Sequence, residues 1–126
     1  VRTRIDCGAE FQQFCGDDLT ASAHLAQGGI GCISVSGNVA PKLCTQMQDA
    51  WRAGDLPRFN ELRDLLLPLH QAMFIETNPS PIKYAASLLG LCTDEVRLPM
   101  VPCQPSTKAA LAEVMERVGL LSAKAA

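Results

Sequence analysis

The chain has 126 residues with 11 basic and 13 acidic side chains, a formal charge of −2. That leaves no surplus of cations to grip a polyphosphate backbone, and the length falls short of a complete eight-stranded α/β barrel, which needs about 250 residues. The apolar fraction of 48% suits a globular fold with one modest core, and no apolar run approaches the roughly 20 residues that span a bilayer. Nucleic acid and membrane are therefore set aside as partners, and the lack of a signal-peptide pattern at the amino end points to the cytoplasm.

The opening Val1-Arg2-Thr3-Arg4-Ile5-Asp6-Cys7-Gly8 reads as the last turns of a helix closed by a glycine, so the chain is expected to start in mid-element. Phe11 to Cys15 predicts a short strand stopped by Gly16, after which Asp17 and Asp18 offer cap oxygens to a helix running to about Gln27. Gly28-Gly29 leads into Ile30 to Val35, apolar at both alternating positions apart from Gly31 and Ser34. That is the pattern of a strand covered on both faces. Two such βα units in succession predict parallel strands joined by a helical crossover.

Beyond Ser36-Gly37-Asn38 the period changes. Val39, Leu43, Met47 and Trp51 recur every four residues and predict a helix ending near Gly54-Asp55. Phe59, Leu62, Leu66, Leu69 and Met73 form the seam of a second helix, which Pro68 should bend. Two prolines in Thr77-Asn78-Pro79-Ser80-Pro81 interrupt the pattern, and Ile82 to Leu91 predicts a third helix. Val96 to Pro102 is expected to be an extended connector. Lys108 to Leu120 predicts a closing helix with Leu111, Val114, Met115, Val118 and Leu121 on one side, and Ser122 to Ala126 should fray.

Cys7, Cys15, Cys32, Cys44, Cys92 and Cys103 lack CxxC spacing and are read as buried, reduced thiols. His24 and His70 are too isolated for a metal-ligand cluster and are read as helix-surface or half-buried packing residues. Asp17 and Asp18 could work as an acid/base pair, but they stand where caps belong. The glycines at 28, 29 and 31 precede a strand, whereas phosphate-cradling loops follow one. Ser34 and Ser36 have no histidine motif or nucleophile elbow nearby. Cys15 is the one thiol at a strand end, and its surroundings are acidic. Lys42, Lys108 and Lys124 read as solvated. In a barrel the functional rim lies at the carboxyl ends of the strands. The candidates for such a rim are Gly16, Asp17, Ile33, Ser34, Ser36, Gly37 and Asn38.

Gly16-Asp17-Asp18, the stretch from Gly28 through Ile33-Ser34-Val35 to Asn38-Val39-Ala40-Pro41, and Asn78-Pro79-Ser80-Pro81-Ile82-Lys83 together resemble the C-terminal part of the dihydrodipicolinate synthase family. The resemblance extends from about Phe11 to Leu121, with Ser80 standing where an apolar residue is commoner. It implies an α/β fold: residues 1–54 as the last two βα units of a TIM (β/α)8 barrel, and residues 55–126 as a C-terminal helical domain, helix-dominated as an isolated chain. The implied activity is that of a Schiff-base lyase of lysine biosynthesis, condensing pyruvate with aspartate semialdehyde without metal or organic cofactor.

For the site, the resemblance implies Ile33 and Gly16 as pyruvate-binding residues. It also implies that this chain holds no catalytic residue. The family's reactive lysine lies on the sixth strand, its proton-relaying tyrosine on the fifth and its threonines on the second, all upstream of Val1. Lys83 matches a lysine common in the family but not the reactive one, and Tyr84 is read as a packing residue. Family members commonly form homotetramers through helices, and two strands without their neighbours should invite dimerisation by element exchange. The rival readings are a non-catalytic helical assembly module and a fragment of an N-acetylneuraminate-lyase-type aldolase.

Overall fold

The computed structural model describes residues 2–122; Val1, the tail lysine Lys124 and the expected fraying of residues 123–126 lie outside them. Two compact units divide between Ser34 and Val35.

The first unit begins with α1 (Arg2–Cys7), closed as predicted by a glycine: Gly8 has φ 91° and its amide donates to the Arg4 carbonyl at 3.1 Å. β1 (Phe14–Cys15) and β2 (Gly31–Cys32) are parallel, with Phe14 opposite Gly31 and Cys15 opposite Cys32. A 3-10 turn (Asp18–Thr20) and α2 (Ala21–Ala26) make the crossover between them. The predicted parallel pairing is thus present, but each strand has two residues where the sequence suggested five or six.

The expected covering of both strand faces is also corrected: Phe14 is 54% exposed and Ile33 73%. Two strands and a six-residue helix carry too little apolar surface to cover a sheet on both sides. Close approach explains two glycines here. A Cβ at Gly29 would collide with the His24 ring, and one at Gly31 would come within 3.2 Å of the Phe14 ring.

The second unit is helical. A 3-10 turn (Ser36–Asn38) leads to α3 (Pro41–Ala53), with proline in its first turn and Gly54 beyond its end at φ 72°. Asp55 caps α4 (Leu56–Ala72) by accepting from the Arg58 amide at 3.1 Å, and α4 continues through Pro68. After the connector around Thr77 comes α5 (Ser80–Leu88), and after a second connector α6 (Pro105–Arg117). α4 packs against α3 and α6, and α6 also packs against α5.

The seam predicted for the second helix is the centre of this unit: Phe59, Leu62, Leu66, Leu69 and Met73 are all buried, together with Met47, Leu111 and Met115. Each such side chain contributes about 1.5–3 kcal/mol by leaving water. Trp51 packs against Phe59 with the rings tilted by 55° and 5.1 Å between centroids, joining α3 to α4. Among the described residues no helix is long and apolar enough to cross a membrane.

Candidate functional site

Because β1 and β2 run parallel, their carboxyl ends lie at the same edge. The Ile33 amide, just past β2, donates to the Cys15 carbonyl at 2.8 Å, and Cys15 is bonded to Gly16. The structure therefore brings the two predicted site residues, Gly16 and Ile33, side by side. A Cβ added at Gly16 would meet no atom within 4 Å, and its φ is not positive, so nothing in the described chain itself requires glycine there. Ile33 presents an exposed apolar side chain at the same edge.

Of the two neighbouring carboxylates, Asp17 caps as the sequence predicts, and Asp18 lies in the first turn that follows. Asp17 accepts from the Leu19 amide at 3.2 Å and from the Thr20 hydroxyl at 2.9 Å. Asp18 is buried, with its carboxylate 3.8 Å from the Cys32 thiol. The Cys15 thiol donates to the Asp17 carbonyl at 3.1 Å and lies 3.4 Å from the Thr20 hydroxyl. His24 sits beside this layer, its Nε2 3.2 Å from the Gln13 carbonyl.

In the second unit the turn Ser36–Asn38 holds three more of the predicted rim residues. The Asn38 side chain donates to the Val35 carbonyl at 3.0 Å and so braces the turn rather than standing free for a ligand. Ser36 is fully buried, and its hydroxyl lies 2.8 Å from Nδ1 of His70 on α4. His70 is only 5% exposed, which corrects the surface or half-buried placement read from the sequence. The available signal was spacing: His70 falls four residues after Leu66, on the apolar face of its helix.

The lysines divide. Lys42 is exposed in the first turn of α3, as expected. Lys108 is not simply solvated: its ammonium lies 2.8 Å from the Asp94 carboxylate and 4.7 Å from the centre of the Tyr84 ring. That hydrogen bond holds the Lys108 ammonium above its ordinary pKa and the Asp94 carboxyl below its own. Lys83 lines a cleft of about 780 Å³ with Arg97, Glu95, Val96 and Met100.

The connector bordering that cleft is pinned by further bonds. The Ser80 hydroxyl donates to the Val101 carbonyl at 2.7 Å, which gives this unusual serine a structural part. The Gln104 amide donates to Glu76 at 2.9 Å, and Glu76 is held below the usual carboxylate range, first by a hydrogen bond from the Thr107 side chain and then by this amide. None of the six cysteines is in a disulfide; Cys15 and Cys103 are buried, whereas Cys7 and Cys92 are exposed, contrary to the reading of all six as buried. Among the described residues no group of three His, Cys, Asp or Glu side chains is placed to hold a metal ion.

Comparison with known proteins bears on the whole chain. The dihydrodipicolinate synthetase family model matches residues 1–118. The 4-hydroxy-tetrahydrodipicolinate synthase of Rhodospirillum centenum is 56% identical over 122 residues, 97% of this chain and 42% of that protein. Among solved structures, the dihydrodipicolinate synthase of Thermotoga maritima superposes with a TM-score of 0.87 at 39% identity, over 90% of this chain and 38% of that one. The chloride-inhibited enzyme of Acinetobacter baumannii, solved in complex with pyruvate, gives a TM-score of 0.83 at 31% identity, over 88% of this chain and 38% of that one. The chain spans about two-fifths of the length of the curated relatives it matches.

Proposed function

The chain belongs to the dihydrodipicolinate synthetase family, and from that premise we propose that it is the closing part of a synthase condensing pyruvate with aspartate semialdehyde. In this reading residues 1–54 are the last two βα units of a TIM barrel and residues 55–126 its helical extension. A lysine on the sixth strand, outside this sequence, attacks the pyruvate carbonyl; the carbonyl oxygen leaves as water and an imine remains. Loss of a proton from the methyl carbon gives the enamine, whose carbon adds to the aldehyde of aspartate semialdehyde while the aldehyde oxygen takes up a proton. No cofactor is needed, because the protonated imine is the electron sink.

The observation that carries this reading is the Ile33 to Cys15 hydrogen bond, which sets Ile33 beside Gly16 at the carboxyl edge of two parallel strands. Barrel enzymes build their sites at that edge. Ile33 supplies an apolar wall for the pyruvate methyl group, and the open space over Gly16 lets a planar ligand approach the backbone.

Lys108 does not suit imine formation. A reactive lysine needs a lowered pKa so that the free amine is present, and Asp94 pushes Lys108 the other way. With the reactive lysine outside this sequence, the chain alone is inactive in this reading. The intact enzyme works in the cytoplasm as a homotetramer assembled through its helices.

The test is to treat the intact enzyme, and separately this chain, with pyruvate and borohydride and to map adducts by mass. The intact enzyme should gain one reduced pyruvate on a lysine outside this sequence and should consume aspartate semialdehyde. An adduct on Lys42, Lys83, Lys108 or Lys124 would overturn the assignment. Turnover of N-acetylneuraminate instead of aspartate semialdehyde would move the parent to the lyase branch. An intact protein inert toward both would leave the helices as an assembly module.

A further inference from the structure

We propose that Cys15 and Cys32 are a site of reversible modification, where a small-molecule disulfide oxidises the two thiols to a bridge between β1 and β2. Its effect, weaker pyruvate binding at the adjoining edge, rests on the function proposed above. Cys15 and Cys32 are direct partners across the two parallel strands. Residues opposite each other in a sheet point to the same face. The thiols bear this out by reaching one and the same turn: the Cys15 thiol donates to the Asp17 carbonyl at 3.1 Å, and the Cys32 thiol to the Asp18 carboxylate at 3.8 Å.

Adjacent strands lie about 4.8 Å apart, and a disulfide spans Cα atoms about 4.4–6.8 Å apart. A bridge between these positions therefore needs rotation of two side chains, with no separation or sliding of the strands. Register is held on both sides of the pair. The Ile30 amide donates to the Gln13 carbonyl at 3.0 Å before it, and the Ile33 amide to the Cys15 carbonyl at 2.8 Å after it.

The two thiols differ in access: Cys15 is 8% exposed, whereas Cys32 is half-buried. The Cys32 thiolate, its proton passed to solvent, attacks one sulfur of the small disulfide and expels the other as a thiolate. The Cys15 thiolate then attacks the Cys32 sulfur of the mixed disulfide and expels the second small thiolate. One small disulfide is consumed, two small thiols leave with the two protons that the cysteines gave up, and two electrons pass from the protein to the reagent. The turn's contacts favour the reduced form, because a disulfide has no S–H to donate. Stabilising the dithiol makes a bridge easier to reduce, so this one opens again in excess thiol.

Gly16 follows Cys15 and Ile33 follows Cys32, so both residues assigned to pyruvate sit one position beyond the bridge. Closing it withdraws the Cys15 donor from Asp17 and the Cys32 donor from the buried Asp18 carboxylate, and it turns the two strand ends against each other. The Ile33 amide and the Cys15 carbonyl, whose bond sets Ile33 beside Gly16, move with them.

The experiment incubates the intact enzyme with oxidised glutathione, maps its peptides by mass without reduction, and measures the pyruvate KM before and after dithiothreitol. Wild type should give a peptide pair joining Cys15 to Cys32, two hydrogens lighter than the reduced peptides. Its pyruvate KM should rise about tenfold, short of the hundredfold or so that an ångström of misplacement costs. Dithiothreitol should reverse both changes. Cys32→Ser should form no bridge, and its KM should not respond to the oxidant.

Glutathione adducts alone, a bridge from either residue to a different cysteine, or a bridge that forms only after denaturation would overturn the site. A Cys15 to Cys32 bridge with unchanged pyruvate KM, or an equal rise in oxidised Cys32→Ser, would overturn its effect. If Cys32→Ser does not fold, Cys15→Ala serves as the same control. An unoxidised enzyme that traps no pyruvate with borohydride defeats the proposed function, while the peptide map still decides whether the bridge forms.

Discussion

The Lys108 ammonium lies 2.8 Å from the Asp94 carboxylate and above the Tyr84 ring, so one cation ties the connector following α5 to both α5 and α6. The hydrogen bond with Lys108 is the largest cause holding the Asp94 carboxyl below its ordinary 3.8, and the same bond is the largest cause raising Lys108 above 10.5. A depressed carboxylate stabilises the fold above its unfolded pKa and stops doing so as pH falls through the folded value. A raised ammonium stabilises below its unfolded pKa and stops as pH rises through the folded value. The pair therefore contributes across the neutral range and fails at both extremes. Asp94→Asn should lower Tm by a constant, modest amount around neutrality, because the pair is partly solvated. The gap from wild type should close as the pH is taken below 3.8. Thermal unfolding at a series of pH values checks this, and a gap that survives in strong acid would assign the effect to something other than the ion pair.

Leu65 and Leu66 are adjacent on α4 and differ in environment: Leu66 has no exposed surface, whereas Leu65 is 37% exposed. Leu66→Ala should cost about 2–5 kcal/mol through lost burial and a residual cavity, whereas Leu65→Ala should cost less than about 1 kcal/mol. Urea unfolding of both variants makes the comparison. Equal costs would mean that the seam through Phe59, Leu62, Leu66 and Leu69 is not the centre of the helical unit.

The helical seams are legible in the sequence because period is a local signal: Phe59 to Met73 repeats at three and four residues, and all five named positions are buried. Boundaries are less so. Gly54-Asp55 reads as the end of one helix, yet Gly54 closes α3 while Asp55 opens α4, and two adjacent residues with opposite duties leave no gap to detect. The side-by-side placement of Gly16 and Ile33 follows from parallel pairing, which two βα units dictate. Strand length does not follow, because it depends on neighbours that a local pattern does not specify. The contacts of His70 with Ser36 and of Lys108 with Asp94 were not legible, since each joins residues brought together only by tertiary packing.

Gly16 and Gly54 separate a conformational requirement from a chemical one. Gly54 has φ 72° with nothing within 4 Å of an added methyl, so Gly54→Ala should cost about 1 kcal/mol through the left-handed backbone alone. Gly16 has equal space and no positive φ, so Gly16→Ala should change stability by no more than about 0.5 kcal/mol. Under the proposed function the added methyl occupies the ground over which pyruvate approaches, and the pyruvate KM of the intact enzyme should rise about tenfold or more. Unfolding curves and pyruvate titration on the same samples test both halves. A Gly16→Ala enzyme with unchanged pyruvate affinity would remove Gly16 from the site.

The thiols should sort by environment under alkylation. Cys7 and Cys92 are exposed, whereas Cys103 is buried, and burial first, then the nearby Glu76 carboxylate, raises its thiol above the ordinary 9.0. Only the thiolate attacks an alkylating reagent, so Cys103 is doubly protected, by access and by its small ionised fraction. Brief treatment with iodoacetamide near neutral pH, followed by peptide mass mapping, should label Cys7 and Cys92 well before Cys103. Denaturation should abolish the difference. Glu76→Gln should speed Cys103 labelling only slightly, because burial is the larger cause of its shift and that substitution leaves burial in place. Labelling of native Cys103 as fast as Cys92 would show that the connector between α5 and α6 opens readily, against the pins that Ser80, Glu76 and Lys108 place on it.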